Sequence, residues 1–351
     1  MVAMASAIKT YSLDQLEELV AAYGLPKFRA KQLYQWLHTH HAKSYDDMTN
    51  LPKDMRAKLA EDHPLSGAQV VEKQVSADGT RKYVVELDDG LFVEMVGIPT
   101  FDTHGTVDKL TVCFSTQVGC PMGCTFCATG HEGFTRDLTA DEMVDQIVLV
   151  AEDFDTRVSN VVAMGQGEPF LNFDEVLKAL RIMNSVDDLN IGARHITLST
   201  CGIITGIEQM CDIPEQFTLA ISLHSARQNV RNDIMPHAKN QPLERLKEAL
   251  LDYVALTNRR VTLEYLMLEG VNDSEDDLNA LLNFCEGLHC HVNLLPYNAV
   301  EGSPFIPTRK ERLHQWQNAL SENGVETTIR NSRGSDIAGA CGQLKNTLLS
   351  D

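Results

Sequence analysis

Cys120, Cys124 and Cys127 fall within eight residues of one another in a C-x3-C-x2-C spacing, in the run Gln117-Val118-Gly119-Cys120-Pro121-Met122-Gly123-Cys124-Thr125-Phe126-Cys127-Ala128-Thr129-Gly130. Three thiolates on one glycine-containing loop can hold three irons of a 4Fe–4S cluster and leave the fourth iron without a protein ligand. That vacancy lets the amino and carboxylate groups of S-adenosylmethionine (SAM) chelate the cluster. An electron passed to the sulfonium then yields a carbon radical. A structural zinc site is the main alternative, with simple buried thiols the blander one. Zinc wants a fourth Cys or His at a familiar spacing, and C-x3-C-x2-C-x3-H with His131 is an awkward arrangement for it. The cluster is therefore expected on Cys120, Cys124 and Cys127.

Other polar groups recur where strands should end. Val158 to Met164 reads as a strand followed by Gly165-Gln166-Gly167-Glu168-Pro169. Glycines there let a ligand approach the backbone, and a carboxylate can hold an ammonium group. Phe170 stands at the third glycine position of a dinucleotide fingerprint, so that reading fails. Leu198-Ser199-Thr200, Ile221-Ser222-Leu223-His224-Ser225 and Leu295-Pro296-Tyr297-Asn298 are of the same kind. Singly, each reads as a satisfied core polar residue. Arg333-Gly334-Ser335-Asp336-Ile337-Ala338-Gly339-Ala340-Cys341-Gly342-Gln343-Leu344 surrounds one cysteine, which alone reads as a loop thiol.

The elements that must position these residues follow from periodicity. Residues 12 to about 62 read as helices: a Ser12/Gln15 capping box, Leu13, Leu16, Leu19 and Val20 at helical spacing, and Gly24 as a stop. Pro26 to His38 reads as a further helix carrying Lys27, Arg29 and Lys31 among Phe28, Leu33, Tyr34 and Trp36. It is either a solvated face over a small core or an RNA-touching face. Pro64 and Gly67 mark a linker. Gln69 to Ile98, with turns at Asp78-Gly79 and Asp89-Gly90, predicts a three-stranded meander. Seven strands are then expected at Leu110–Ser115, Val158–Met164, His195–Thr200, Phe217–Leu223, Arg260–Leu268, His291–Leu295 and Glu326–Arg330. Helices lie between them, one at Asp141–Glu152 behind a Thr139/Glu142 capping box. That alternation implies a mainly parallel sheet, open or curled into a barrel, with sites at the carboxyl ends of strands.

Composition narrows the class. The 351 residues are 43% apolar and contain no long apolar run, so no membrane span is expected. Met1 to Ser12 carries no visible secretory signal, and the protein is expected in the cytoplasm. Nine cysteines with three clustered suit a reducing compartment and metal or catalytic use. A net charge of −19 confines any RNA contact to a local basic patch.

Taken together the residues resemble the RlmN/Cfr family, radical-SAM adenine methyltransferases of 23S ribosomal RNA. The resemblance covers nearly the whole chain. It rests on Cys113-x6-Cys120, Met164-Gly165-x-Gly167-Glu168-Pro169, Ile221-Ser222-Leu223-His224, Gly270-Val271-Asn272-Asp273, and Asp336-Ile337 with Ala340-Cys341-Gly342-Gln343-Leu344. It implies an α/β fold: a partial (β/α)6 barrel (109–331), a helical N-terminal RNA-binding domain (1–63), a β-meander extension (64–108) and a C-terminal cysteine loop (332–351). It also implies two SAM molecules per turnover. Cys341 takes a methyl from one, and a 5′-deoxyadenosyl radical from the other removes a hydrogen from that methyl. The carbon radical adds to adenine. Cys113 then attacks the Cys341 sulfur, forming a transient disulfide, and Glu94 in Phe92-Val93-Glu94-Met95 takes the ring proton. SAM contacts carry over to Gly167, Glu168, Ser199, Ser222, Leu223, His224 and Asn298. Gln166 stands where the family usually has methionine, so a backbone role is expected there.

Glu168-Pro169 with Leu171-Asn172, and Arg333-Gly334 before Asp336-Ile337, look like the C2-methylating branch rather than the C8-methylating resistance branch. Implied partners are 23S ribosomal RNA, transfer RNA and an external, flavodoxin-like electron donor, with the chain monomeric. The rivals are a radical-SAM enzyme with another substrate, which would not need Cys341, and a non-enzymatic zinc protein that binds RNA. Cys201, Cys211, Cys285 and Cys290 read as buried structural thiols.

Overall fold

The computed structural model describes residues 8–40, 42–63, 65, 67–300 and 302–345. Met1–Ala7 of the segment read for a signal, and Pro64 of the linker, lie outside them. In the N-terminal region, α1 (Leu13–Ala22), α2 (Phe28–Tyr34) and α3 (Lys53–Asp62) bury a core of their own that includes Leu16, Val20, Leu33, Met48 and Leu59. The Ser12/Gln15 capping box forms as expected, with reciprocal bonds of 2.8 and 3.2 Å. The helix expected to His38 instead widens at Gln35 into a π-helical turn ending at Thr39. Leu33 and Leu37 both stay buried, and the Tyr34 and His38 rings sit side by side at 4.2 Å. Both then reach Asp188, at 2.8 and 2.9 Å, while Lys9 reaches Asp145 at 2.9 Å. These contacts seat the N-terminal helices on the rest of the molecule. Most aromatics of the segment therefore face protein. Phe28 is exposed, under the Arg29 guanidinium.

The meander is β1 (Gln69–Val75), β2 (Arg81–Glu86) and β3 (Phe92–Phe101), paired antiparallel. It does not stop there. β3 pairs antiparallel with β4 (Val107–Phe114), so the expected boundary at 108/109 falls inside a strand and the meander is the margin of the main sheet. Backbone pairing decides this, because a separate meander would leave two unpaired edges.

β4 leads into a small two-stranded sheet, β5 (Gln117–Gly119) with β6 (Phe134–Asp137), that brackets the cysteine loop and the short α4 (Ala128–Glu132). Then follow α5 (Ala140–Phe154), β7 (Asn160–Ala163), α6 (Phe173–Asn184), β8 (Ile196–Thr200), α7 (Ile204–Cys211), β9 (Thr218–Ser222), α8 (Gln228–Ile234), α9 (Leu243–Thr257), β10 (Val261–Met267), α10 (Glu275–Cys285), β11 (Cys290–Pro296), α11 (Lys310–Glu322) and β12 (Glu326–Ile329). The ten-stranded sheet runs β1-β2-β3-β4-β7-β8-β9-β10-β11-β12, parallel from β4 onward. Six strand–helix units closed by a seventh parallel strand make a partial barrel. The strand ends therefore converge on one rim.

Candidate active site

The cysteine loop is wound tightly. Cys120 N–H donates to Gly133 O at 2.7 Å, and Cys127 N–H to Cys124 O at 3.1 Å. Gly119 has φ 75°, and a Cβ there would overlap the Gly133 carbonyl. A Cβ on Gly130 would lie 2.7 Å from Cys124 O. The winding turns all three thiols toward one cavity of about 150 Å3. Among the described residues no three His, Cys, Asp or Glu side chains converge closely enough for a single ion. His131 turns away, its Nε2 lying 3.0 Å from Thr125 O. Burial, reinforced by the neighbouring thiols, pushes Cys120 up to about 12 and Cys127 up to about 11. Such thiols ionise when a metal supplies the positive charge. The donor set fits the cluster.

The strand ends supply the rest of the cavity: Gly167, Glu168, Ser199, Ser222 and His224 line it. The Glu168 oxygens accept from Phe170 N–H at 3.0 Å and Cys201 N–H at 2.6 Å, which fixes a carboxylate that burial otherwise pushes toward neutrality. Ser199 and Ser222 pair through their hydroxyls at 3.3 Å. His224 has φ 55° and Nδ1 accepting from Leu266 N–H at 3.0 Å. Its proton is therefore on Nε2, and burial pushes the imidazolium form down to about 3. Two carried-over residues stand elsewhere. The Leu223 side chain is buried away from the cavity, so only its backbone is available, and Asn298 lines a second, adjoining cavity.

That second cavity, about 270 Å3, lies between Cys113 and Cys341, and Cys341 lines both. Both sulfurs are free thiols. Burial, then the neighbouring Cys341, pushes Cys113 up to about 12. The Cys341 segment is moored at both ends. Asp336 accepts from Ser76 Oγ at 2.6 Å and Ala77 N–H at 3.1 Å, and Gly334 N–H donates to Asp78. Beyond the cysteine, Ala128 N–H donates to Gly342 O, and Thr129 Oγ1 to Leu344 O at 2.8 Å.

Glu94 lines neither cavity. It is fully buried, with Lys82 Nζ 3.2 Å from Oε1 and Lys345 N–H 2.7 Å from Oε2. Gln166 exceeds its expected backbone role: its Oε1 accepts Glu94 N–H at 3.1 Å, tying that strand to the Gly167-Glu168 loop.

Three residues escaped the sequence reading. Cys201 is no remote structural thiol: it lines the first cavity beside Cys124. Fully buried Arg231 donates to Leu223 O, Ala238 O and Cys201 O. Arg330 lines both cavities among Cys341, Glu264 and Cys113, and reaches Met164 Sδ at 3.7 Å. Only its place at the end of a predicted strand could have drawn attention to Arg330.

Comparison with known proteins agrees with this geometry. A model described as the Radical SAM superfamily matches residues 114–282, which span Cys120, Cys124, Cys127 and every strand end through His224. One described as the Ribosomal RNA large subunit methyltransferase N-terminal domain matches residues 8–64. A relative from Clostridium novyi (strain NT), named "Probable dual-specificity RNA methyltransferase RlmN", is 41% identical over 97% of this chain and 98% of its own. Another of that name from Alkaliphilus oremlandii (strain OhILAs) is 43% identical over 95% and 96%. The chain belongs to the RlmN family. A crystal structure of a radical SAM methyltransferase from Sphaerobacter thermophilus superposes with TM-score 0.90 at 41% identity, covering 97% of this chain and 99% of that one. As an RlmN-family member the chain is a SAM-dependent methyltransferase of the radical type, using SAM and a 4Fe–4S cluster. The RlmN N-terminal domain accounts for the separate helical core.

Proposed function

We propose that this chain methylates C2 of a specific adenine in the peptidyl transferase centre of 23S ribosomal RNA, and of the adenine beside the anticodon in transfer RNA, through a methyl-cysteine at Cys341. The observation that carries this reading is the position of Cys341, which lines the cluster-side cavity and also the cavity it shares with Cys113. C2 of adenine is electron-poor and cannot attack the SAM methyl as an ordinary nucleophile. Bound to Cys120, Cys124 and Cys127, the cluster supplies the electron that makes SAM a radical source. Gly167, Glu168, Ser199, Ser222 and His224, with the Leu223 backbone, orient SAM there. Cys341 carries the methyl, Cys113 attacks the Cys341 sulfur to release the product, and Glu94 takes the ring proton. Asn298 contacts SAM from the second cavity. The electron comes from an external, flavodoxin-like donor, and the chain works as a monomer in the cytoplasm. Among the described residues no helix is long and apolar enough to cross a membrane.

Peptide mass spectrometry across Cys341, in protein expressed with an intact iron–sulfur supply, is expected to find a methyl on that sulfur. Cys341→Ala is expected to keep reductive SAM cleavage and lose RNA methylation. An unmodified Cys341 in cluster-loaded protein would overturn the carrier role. Nucleoside analysis of the product distinguishes 2-methyladenosine from 8-methyladenosine.

A further inference from the structure

We infer that Lys82 is a positioning residue for the proton-removal step: from a rigid strand it holds Glu94 Oε1, so that Oε2 is the oxygen that receives the ring proton. This rests on Glu94 being the acceptor. The two side chains form a buried ion pair at 3.2 Å, 4% and 0% exposed. A buried carboxylate without a partner neutralises itself, and a neutral carboxyl cannot accept a proton. Lys82 is the cation that opposes that outcome.

The two oxygens have unlike holders. Lys82 is on β2, flanked by Gln74 of β1 and Val96 of β3, in the middle of three paired strands. Lys345 N–H, on Oε2, is a neutral peptide donor in the segment that carries Cys341. Protonating an oxygen weakens the bonds it accepts, and this costs least at the oxygen whose donor is neutral. Of the two contacts, the one from a neutral peptide N–H is weaker than the one from a buried ammonium. Leu344, next in chain to Lys345, lines the cavity between Cys113 and Cys341, so Oε2 is the oxygen held from that cavity's side. The Glu94 peptide stays behind, held by Gln166 Oε1 on its N–H and by Ser115 Oγ on its carbonyl at 2.6 Å.

In the step itself the electron pair of the ring C–H bond returns to the ring. Its proton goes to Oε2, turning the carboxylate into a carboxylic acid. The proton transfer itself moves no electron to or from Glu94, and Lys82 keeps its proton. The groups facing Glu94 are Lys82 from β2, Glu132 from α4, which opposes ionisation, the Lys345 N–H, and the uncharged Gln166 and Ser115.

The test compares Lys82→Gln, Lys82→Met, Lys82→Arg, Glu94→Gln and the Lys82→Gln/Glu94→Gln double variant as cluster-loaded full-length enzymes on RNA substrate. The readouts are Cys341 methylation, covalent protein–RNA adduct on denaturing gels, and product formation against pH. Lys82→Gln and Lys82→Met should load Cys341 normally and accumulate adduct. They should slow product formation about tenfold near neutrality and move its acid limb upward by about a unit. Lys82→Arg should restore most of the rate. The double variant should match Glu94→Gln. The inference is overturned by an unchanged pH profile in Lys82→Gln, or by losses that are equal at every pH and additive to those of Glu94→Gln. If Glu94→Gln itself turns over normally without adduct, the acceptor assignment fails rather than the Lys82 contact.

Discussion

Burial pushes Glu94 up to about 7, against the pull of Lys82 and the Lys345 N–H toward the ionised form. The proton-accepting form is the carboxylate, so its population grows as pH rises through about 7. Methyl incorporation is therefore expected to climb between pH 6 and 8, and Glu94→Gln to lower it by about 100-fold or more while Cys341 remains methylated. A flat pH profile would argue for another acceptor. The cysteine loop was legible because its three thiols lie within one short run. Glu94 was reached through family resemblance alone. Lys82, Cys201 and Arg330 were not reached, because what distinguishes them is a neighbour brought in by another strand.

At the scale of elements, the seven predicted parallel strands all form, and the polar groups at their ends meet on one rim. Side chains that tie those ends together are harder to read. Arg231, on α8, reaches the carbonyl after β8, the carbonyl after β9 and that of Ala238. Through Cys201, whose N–H holds Glu168, it fixes the loop that lines the cluster cavity. Arg231→Met removes a donor from three carbonyls in a buried region, where an unsatisfied group costs ~1–3 kcal/mol. The expected result is a destabilisation of about 3 kcal/mol in chemical denaturation, with KM for SAM rising more than kcat falls. Nothing in the local pattern sets Arg231 apart from an exposed helical arginine. The helix phase and the reach of the side chain bury it.

For the whole molecule, the question is how an acidic body presents its site to RNA. The N-terminal helices have their own core and are held to the barrel by Tyr34 and His38 on Asp188 and by Lys9 on Asp145. Asp188→Ala leaves the buried His38 ring and the Tyr34 hydroxyl without their acceptor, and an unsatisfied buried group costs ~1–3 kcal/mol. Calorimetry is expected to show the N-terminal helices unfolding ahead of the barrel. RNA methylation should fall, while SAM cleavage without RNA is unchanged. A single unshifted transition would mean that the apolar contact alone holds the two parts together.

Short-range pattern determined the cysteine loop, the capping boxes at Ser12 and Thr139, the hairpin turns and the order of strands and helices. Each depends on residues within a turn or a single strand of one another, where spacing and stereochemistry suffice. The tertiary structure decided what depends on partners far apart in the chain. It merged the meander with the main sheet, put Cys341 between two cavities, sealed Glu94 between Lys82 and Lys345, and brought Cys201 to Cys124. Those contacts follow from sheet register and from the path of the terminal segment, which only the packed core selects.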